Sequence, residues 1–378
     1  MTTLSADRPA TRLSTRLAFL ATGIALSCWA PLVPFAKARL GVDEGQLGLL
    51  LLCLGFGSIL AMPITGALCA RLGARPMILL GGTGAGLLLP ALGFANSPAA
   101  LGAALLGFGA SIGTLDVAIN AHAVEVEAAA KRPLMSGFHA QFSIGGFVGA
   151  GGMTLLLSFG VAPLASALSA GVLTLAIIGG ASGGLLRIKP AGGGAAFAFP
   201  KGVVLLIAGF TAVTFLIEGA ILDWSALLIT SKNIVPASQG GVGYMLFSAA
   251  MTMGRLSGDA IVARLGPRRM LITGGLVAVM GFVVLLAMPW PPIVMAGFLM
   301  IGLGAANLVP VLFSAAGRQR AMPPALAIAA ITTTGYAGIL AGPAAVGFVA
   351  QAVGLVASFW LLAALMGLVP LLARAAVR

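Results

Sequence analysis

The chain has 378 residues, 60% of them hydrophobic and only 8% charged, with a formal net charge of +12. A soluble domain carries about 25% charged residues, so this composition excludes a water-soluble globular protein: lipid must be the solvent for most of the surface. The basic excess is no nucleic-acid footprint, because the cations gather in short loops on one side of the apolar segments, as the positive-inside rule describes, and the opposite side keeps only Lys37, Arg39 and Lys232.

Runs of ~20 apolar residues span a bilayer as helices, and the continuous runs here exclude the short alternating strands of a membrane β-barrel. About twelve spans are predicted, roughly at 17–37, 45–70, 76–95, 99–122, 136–158, 163–186, 202–229, 240–263, 269–288, 292–315, 325–349 and 353–373. The first does not read as a cleaved signal: its apolar stretch is too long and lacks a small-residue cleavage site. Within it Trp29 precedes Pro31 and Pro34, which bend the helix and free carbonyls. Trp29 is a candidate for cavity lining or for packing. Cys28, Cys53 and Cys69 all fall in apolar segments and read as buried thiols, and no Cys/His spacing resembles a metal site.

An ionisable group inside a membrane is costly and is a functional candidate by default. In the fourth span Asp116 has Asn120 one turn on, on the same face. The pair fits a proton- or substrate-binding carboxylate with a hydrogen-bonding neighbour, or an interhelical polar clamp. His139 and Gln141 open the fifth span; His139 titrates near neutral pH and is a candidate relay with Asp116, or a polar helix-end residue. His122 has a weaker claim. Between the sixth and seventh spans, residues 187–201 carry Pro190, a glycine run and Pro200, the composition of a flexible linker. Basic residues at both flanks place it on the cytoplasmic side.

The seventh span contains Glu218, in its outer half. Burial penalises the charged form of a carboxylate, so Glu218 is a candidate to load and release a proton. The alternative is a carboxylate paired to a neighbouring helix. Asp223 lies about 140° further round an ideal helix, near the outer boundary, and Trp224 beside it fits an interfacial belt, a stacking platform or an outer gate. In the eighth span Arg255 and Asp259, four apart, read as an ion pair that latches the cytoplasmic side together with the basic turns at Arg71, Arg75, Arg264 and Arg268. Asn307 and Tyr336 are polar lining candidates in apolar second-half helices. Glycines four apart, as at Gly145 and Gly149, let helices approach closely.

The linker separates two copies of one pattern. Arg71-Leu72-Gly73-Ala74-Arg75-Pro76-Met77 with Gly81-Gly82 recurs as Arg264-Leu265-Gly266-Pro267-Arg268-Arg269-Met270 with Gly274-Gly275, 193 residues on. Gly107-Phe108-Gly109-Ala110 echoes Gly302-Leu303-Gly304-Ala305 at a nearly equal offset. Both basic turns fall on one side, so an even number of helices separates them, and six per half satisfies this. The fold expected is all-α and polytopic: a six-helix bundle over 1–186, a linker over 187–201 and a second bundle over 202–378. Duplicated halves of like orientation imply a binding site between them and alternating access.

The stretch from Gly66 to Arg75 resembles the loop-2/3 signature of the major facilitator superfamily, with Ala70 where the family has an acidic residue. The signature recurs at Gly254-Arg255-Leu256-Ser257-Gly258-Asp259, leading into Arg264-Leu265-Gly266. Asp116-Val117-Ala118-Ile119-Asn120-Ala121-His122, Met135-Ser136-Gly137-Phe138-His139 and Glu218-Gly219-Ala220-Ile221-Leu222-Asp223-Trp224 resemble the bacterial YbjJ-type branch, distantly fucose-permease-like. Gly335-Tyr336-Ala337-Gly338 with Gly342-Pro343 also fits. The resemblance implies transport, of a solute undefined in kind; the location expected is a bacterial inner membrane and the state expected is a monomer.

The expectation is therefore a secondary transporter with both termini cytoplasmic, moving a small polar solute. The membrane carboxylates Asp116 and Glu218 favour proton coupling over passive facilitation. No cofactor, nucleic acid or nucleotide is expected, since neither basic turn has phosphate-loop spacing. A flux-less sensor would carry an added soluble domain, whereas this chain has short tails and a short linker. A membrane enzyme would need a catalytic cluster that the two histidines do not supply.

Overall fold

The computed structural model describes residues 8–130, 134–186, 199–322 and 324–377, with the side chains of 136, 259, 324, 325, 328 and 329 also left out. The central linker from Arg187 to residue 198 lies outside the described residues. The described residues form α-helices and no strands: α1 Pro9–Ser27, α2 Trp29–Leu40, α3 Glu44–Leu72, α4 Ala74–Phe94, α5 Pro98–Ala130, α6 Met135–Ser158, α7 Pro163–Ala181, α8 Val203–Ser231, α9 Val242–Leu265, α10 Pro267–Ala287, α11 Pro291–Ala305, α12 Leu308–Arg318, α13 Pro324–Val353 and α14 Leu355–Ala376. Among the described residues, eleven segments are long and apolar enough to cross a membrane, counting Pro9–Leu40 and Pro291–Arg318 as single spans. With α9 they make twelve.

Two spans expected to be continuous are broken, and proline explains both. A proline ring clashes with the carbonyl four residues before it. Pro31 faces the carbonyl of Ser27, and the first span breaks at Cys28. Pro310 faces that of Ala306, and the tenth breaks at Ala306–Asn307. Asn307 closes the second break by donating Nδ2 to the Gly254 carbonyl on α9, at 2.9 Å.

The chain forms two compact units. The first comprises 1–42, 53–193 and 237–245; the second 43–52, 194–236 and 246–378. In the first, α1 packs on α5, α6 and α7, and α4 packs on α5 and α7. In the second, α8 packs on α12, α13 and α14, and α10 on α11 and α14. The internal order of the first unit is thus repeated in the second, helix for helix.

The repeat extends to individual contacts. A single glycine joins α3 to α4 and α9 to α10: Gly73 at φ 87°, ψ 165° and Gly266 at φ 79°, ψ 158°. That backbone region favours glycine, which is why the turn sequence recurs. A Cβ on Gly81 would lie 2.8 Å from the Ser111 carbonyl on α5, and one on Gly274 2.6 Å from the Gly304 carbonyl on α11. Gly82 meets Ile178 on α7 as Gly275 meets Pro370 on α14. Gly145 and Gly149 fit α6 against α1, and Gly338 and Gly342, 193 residues on, fit α13 against α8. One expectation shifts. Gly109 abuts the Leu54 carbonyl of α3, and Gly302, not Gly304, abuts the Phe247 carbonyl of α9. The structural offset is therefore 193 here too, and the four-residue echo in the sequence stands two positions out of register.

Helix ends are closed by side chains. Glu127 on α5 accepts the N–H groups of Leu134 and Met135 at 2.6 and 2.7 Å, where α6 begins. A carboxylate at a helix start also complements the helix dipole. Arg39, in the last turn of α2, donates to the carbonyls of Leu92, Gly93 and Ala95 at the end of α4. Lys232, one residue beyond α8, donates to those of Leu285 and Leu286 at the end of α10. Partial burial there pulls the Lys232 ammonium below the usual lysine pKa range.

Filling the α4–α5 contact should unsettle the first unit. Gly81→Leu would push a side chain into backbone at 2.8–2.9 Å, and overpacking of this kind costs typically ~1–3 kcal/mol. Melting of the purified protein in detergent should fall for Gly81→Leu. It should hold for Gly209→Ala, whose Cβ meets open space.

Candidate functional site

Ionisable side chains occur within the spans of both units, and the second holds an ion pair between helices. Glu218 projects from the middle of α8, and Arg255 on α9 places Nη2 3.5 Å from its Oε1. Both side chains keep about a quarter of their exposure, 27% for Arg255 and 23% for Glu218, so this ion pair is half-buried and still reachable. The sequence spacing pairs Arg255 with Asp259, one turn along its own helix. Arg255 bonds across to Glu218 on α8, and the Arg255–Asp259 pair expected from the sequence falls on a side chain outside the described residues.

Three consecutive polar residues follow on α8. Asp223 is buried at 7% exposure and takes no hydrogen bond or ion pair from a described residue. The indole N–H of Trp224 and the hydroxyl of Ser225 are buried and unpartnered. Buried polar groups are normally hydrogen-bonded, so three in succession mark a segment built for something besides packing. Trp224 is fully buried, which removes the interfacial-belt reading. On the opposite side of Glu218, Phe215 meets Tyr336 of α13 with ring centroids 6.3 Å apart. Tyr336 therefore packs against α8 beside Phe215, about one turn from Glu218. Asn307 is buried in the α11–α12 break, where its amide is used structurally.

In the first unit Asn120 donates Nδ2 to the backbone carbonyl of Asp116 at 2.8 Å and to its carboxylate at 3.2 Å. The two form one half-buried polar step on α5. Trp29 stands at the α1–α2 break, fully buried, with its indole N–H unpartnered. His139 is exposed, and Phe19 meets it edge-on at 5.1 Å. Arg75 donates Nε to the Ser182 carbonyl at the end of α7, whereas Arg71, Arg264 and Arg268 are exposed.

No group of three or more His, Cys, Asp or Glu among the described residues is arranged to hold a metal. Among the described residues the spans hold a carboxylate–guanidinium pair, a buried carboxylate and unpartnered donors.

A model of the Major Facilitator Superfamily matches residues 17–321. The chain belongs to this superfamily. It is 48% identical over 368 residues to an uncharacterized MFS-type transporter of Yersinia pestis, covering 97% of this chain and 96% of that one. Among solved structures it superposes on a point mutant of the nucleoside transporter NupG with a TM-score of 0.78 at 14% identity, covering 98% and 100% of the two chains. It superposes on a bacterial homologue of the human lysosomal transporter Spinster with a TM-score of 0.76 at 13% identity, covering 97% and 98%. The protein is a membrane transporter with the major facilitator fold.

Sequence reasoning passed over two features of this facilitator. His122, given a weak claim, is fully buried, with Nδ1 3.2 Å from the Thr15 hydroxyl and Nε2 accepting the Leu186 N–H at 2.8 Å. It ties α5 to α1 and to the end of the sixth span. Ser225 went unremarked because a serine in an apolar helix is ordinary; only its missing partner singles it out.

The Glu218–Arg255 pair carries a measurable coupling. A fully buried pair loses ~3–5 kcal/mol when one member is removed, and partial exposure scales this to on the order of 1–2 kcal/mol. A double-mutant cycle of Glu218→Gln and Arg255→Gln, read by melting in detergent, should show the double variant losing less than the two singles together. Strictly additive losses would mean that the side chains do not interact.

Proposed function

We propose that the chain is a proton-coupled secondary transporter of a small polar solute, working by alternating access, with Glu218 as the proton-carrying group and Arg255 as its counter-charge. One observation carries this reading. The scaffold contacts of the two halves repeat 193 residues apart, and five polar groups inside the spans do not: the counterparts of Glu218, Arg255 and Asp223 are Ala25, Met62 and Ala30, and those of Asp116 and Asn120 are Val309 and Phe313. Folding a six-helix unit does not require these groups, since each half folds without the other's. Charges inside a membrane are costly and persist where they serve transport.

The chemistry of coupling follows from the pair. A protonated Glu218 no longer holds Arg255 electrostatically, so the guanidinium is released to another acceptor; a deprotonated Glu218 recaptures it. Asp223 and the indole N–H of Trp224 offer an acceptor and a donor to a polar solute, with Trp29, Tyr336, His139, Asn307, Asp116 and Asn120 as further polar or aromatic contacts. Few cations lie within the spans, which argues against a multiply charged anion and leaves sugars, polar neutral metabolites or organic cations. Nucleosides join this group because the structurally similar NupG is a nucleoside transporter. Arg71, Arg264, Arg268 and Asp259 are read as gate residues on the cytoplasmic side, with Arg75 bracing that end. The asymmetry of the basic loop residues supports cytoplasmic termini, and the resemblance to a bacterial branch supports an inner-membrane location; the transporter is proposed to act as a monomer.

A thermal-shift screen against sugars, nucleosides and organic cations should name the solute class, since binding stabilises the native state. With that solute in proteoliposomes, Glu218→Gln should abolish uphill uptake driven by an imposed pH gradient while solute exchange survives. Unchanged uphill uptake would remove Glu218 as the coupling group.

A further inference from the structure

Two of the basic residues that break the one-sided charge pattern make the same contact at the same register. Arg39 donates Nε to the Ala95 carbonyl at 2.9 Å, Nη1 to Gly93 at 2.9 Å and Nη2 to Leu92 at 3.0 Å. Lys232 stands 193 residues on. It donates Nζ to the carbonyls of Leu285 at 3.1 Å and Leu286 at 2.9 Å, the counterparts of Leu92 and Gly93. The helices so closed, α4 and α10, end at Phe94 and Ala287, so these carbonyls belong to the last turn, which lacks intrahelical partners. The negative end of each helix dipole draws a cation to the same place. Neither cation has an ion pair with a carboxylate among the described residues. An arginine and a lysine, differing in shape and donor number, thus perform one task in the two halves.

Each clasp fastens the first span of its unit to the third. Lys232 sits nine residues beyond Asp223, roughly 13 Å along the helix, and Arg39 sits a similar distance beyond Trp29. We propose that Arg39 and Lys232 are positioning residues: each cation locks its helix end and so fixes the depth and rotation of Trp29 in one unit and of Asp223 and Trp224 in the other. The importance of those positions for transport rests on the function proposed above, whereas the clasp rests on the duplicated geometry.

The test needs no solute, so its failure is distinct from failure of the coupling reading. The chain has four tryptophans; replacing Trp29, Trp290 and Trp360 by Phe leaves Trp224 as sole reporter. In this background Lys232→Met should speed amide exchange over the last turn of α10 by about tenfold and shift Trp224 emission to longer wavelength. Lys232→Arg should restore both. The proposal is overturned if Lys232→Met moves neither signal, even where it lowers the melting temperature, or if the arginine variant behaves like the methionine one. Should Lys232→Met fail to fold, Arg39→Met against Arg39→Lys, read at the last turn of α4 and with Trp29 as sole reporter, decides by the same two signals.

Discussion

Hydrocarbon offers no hydrogen bonds, so every backbone N–H and C=O inside the bilayer must be satisfied by the protein itself. Helices meet this demand along their length and fail at their ends. In this chain side chains from neighbouring helices make good the shortfall. Glu127 serves the start of α6, Arg75 the end of α7, Arg39 the end of α4 and Lys232 the end of α10. His122 accepts the N–H of Leu186 beyond α7, and Asn307 closes a mid-span break. These scarce polar groups look functional in a bare sequence, yet most are committed to the backbone. Among the described residues, the buried donors left without a partner are the indole of Trp29 at the α1–α2 break and the indole of Trp224 and hydroxyl of Ser225 on α8.

That distinction marks the boundary of what the sequence disclosed. The spans, the six-and-six arrangement and the glycine turns were legible because each is written locally, in hydropathy or in a repeated string. The helix breaks at Cys28 and Asn307 were half-legible. Pro31 announced a bend, but Pro310 was passed over as one more proline in a membrane helix. The Glu218–Arg255 bond was not legible as such. Local spacing pointed to Asp259, four residues from Arg255 on one helix, and could not show the bond to Glu218, 37 residues away on another. No periodicity encodes which faces of α8 and α9 meet. The burial of Trp224 was hidden for the same reason: an indole near a helix end reads as interfacial until one knows what covers it.

The two halves keep the same packing and spend their chemistry differently. Contacts that depend on the absence of a side chain recur in register, as with Gly81 and Gly274 or Gly145 and Gly338. Carboxylates do not: Glu218 and Asp223 answer to alanines in the first half, and Asp116 to a valine in the second. A duplicated scaffold with unduplicated charge can treat a solute asymmetrically, which a perfectly repeated bundle cannot.

The single-residue turns at Gly73 and Gly266 give these helix pairs a mechanical character. With one residue between α3 and α4, neither helix has slack to slide or spin on its own. The pair behaves like two meshed gears on fixed axles. Adding one residue there would rotate α4 by about 100° and carry Gly81 and Gly82 away from α5 and α7. The length of the turn is thus tied to the glycine contacts that seat α4, and an inserted residue would forfeit them.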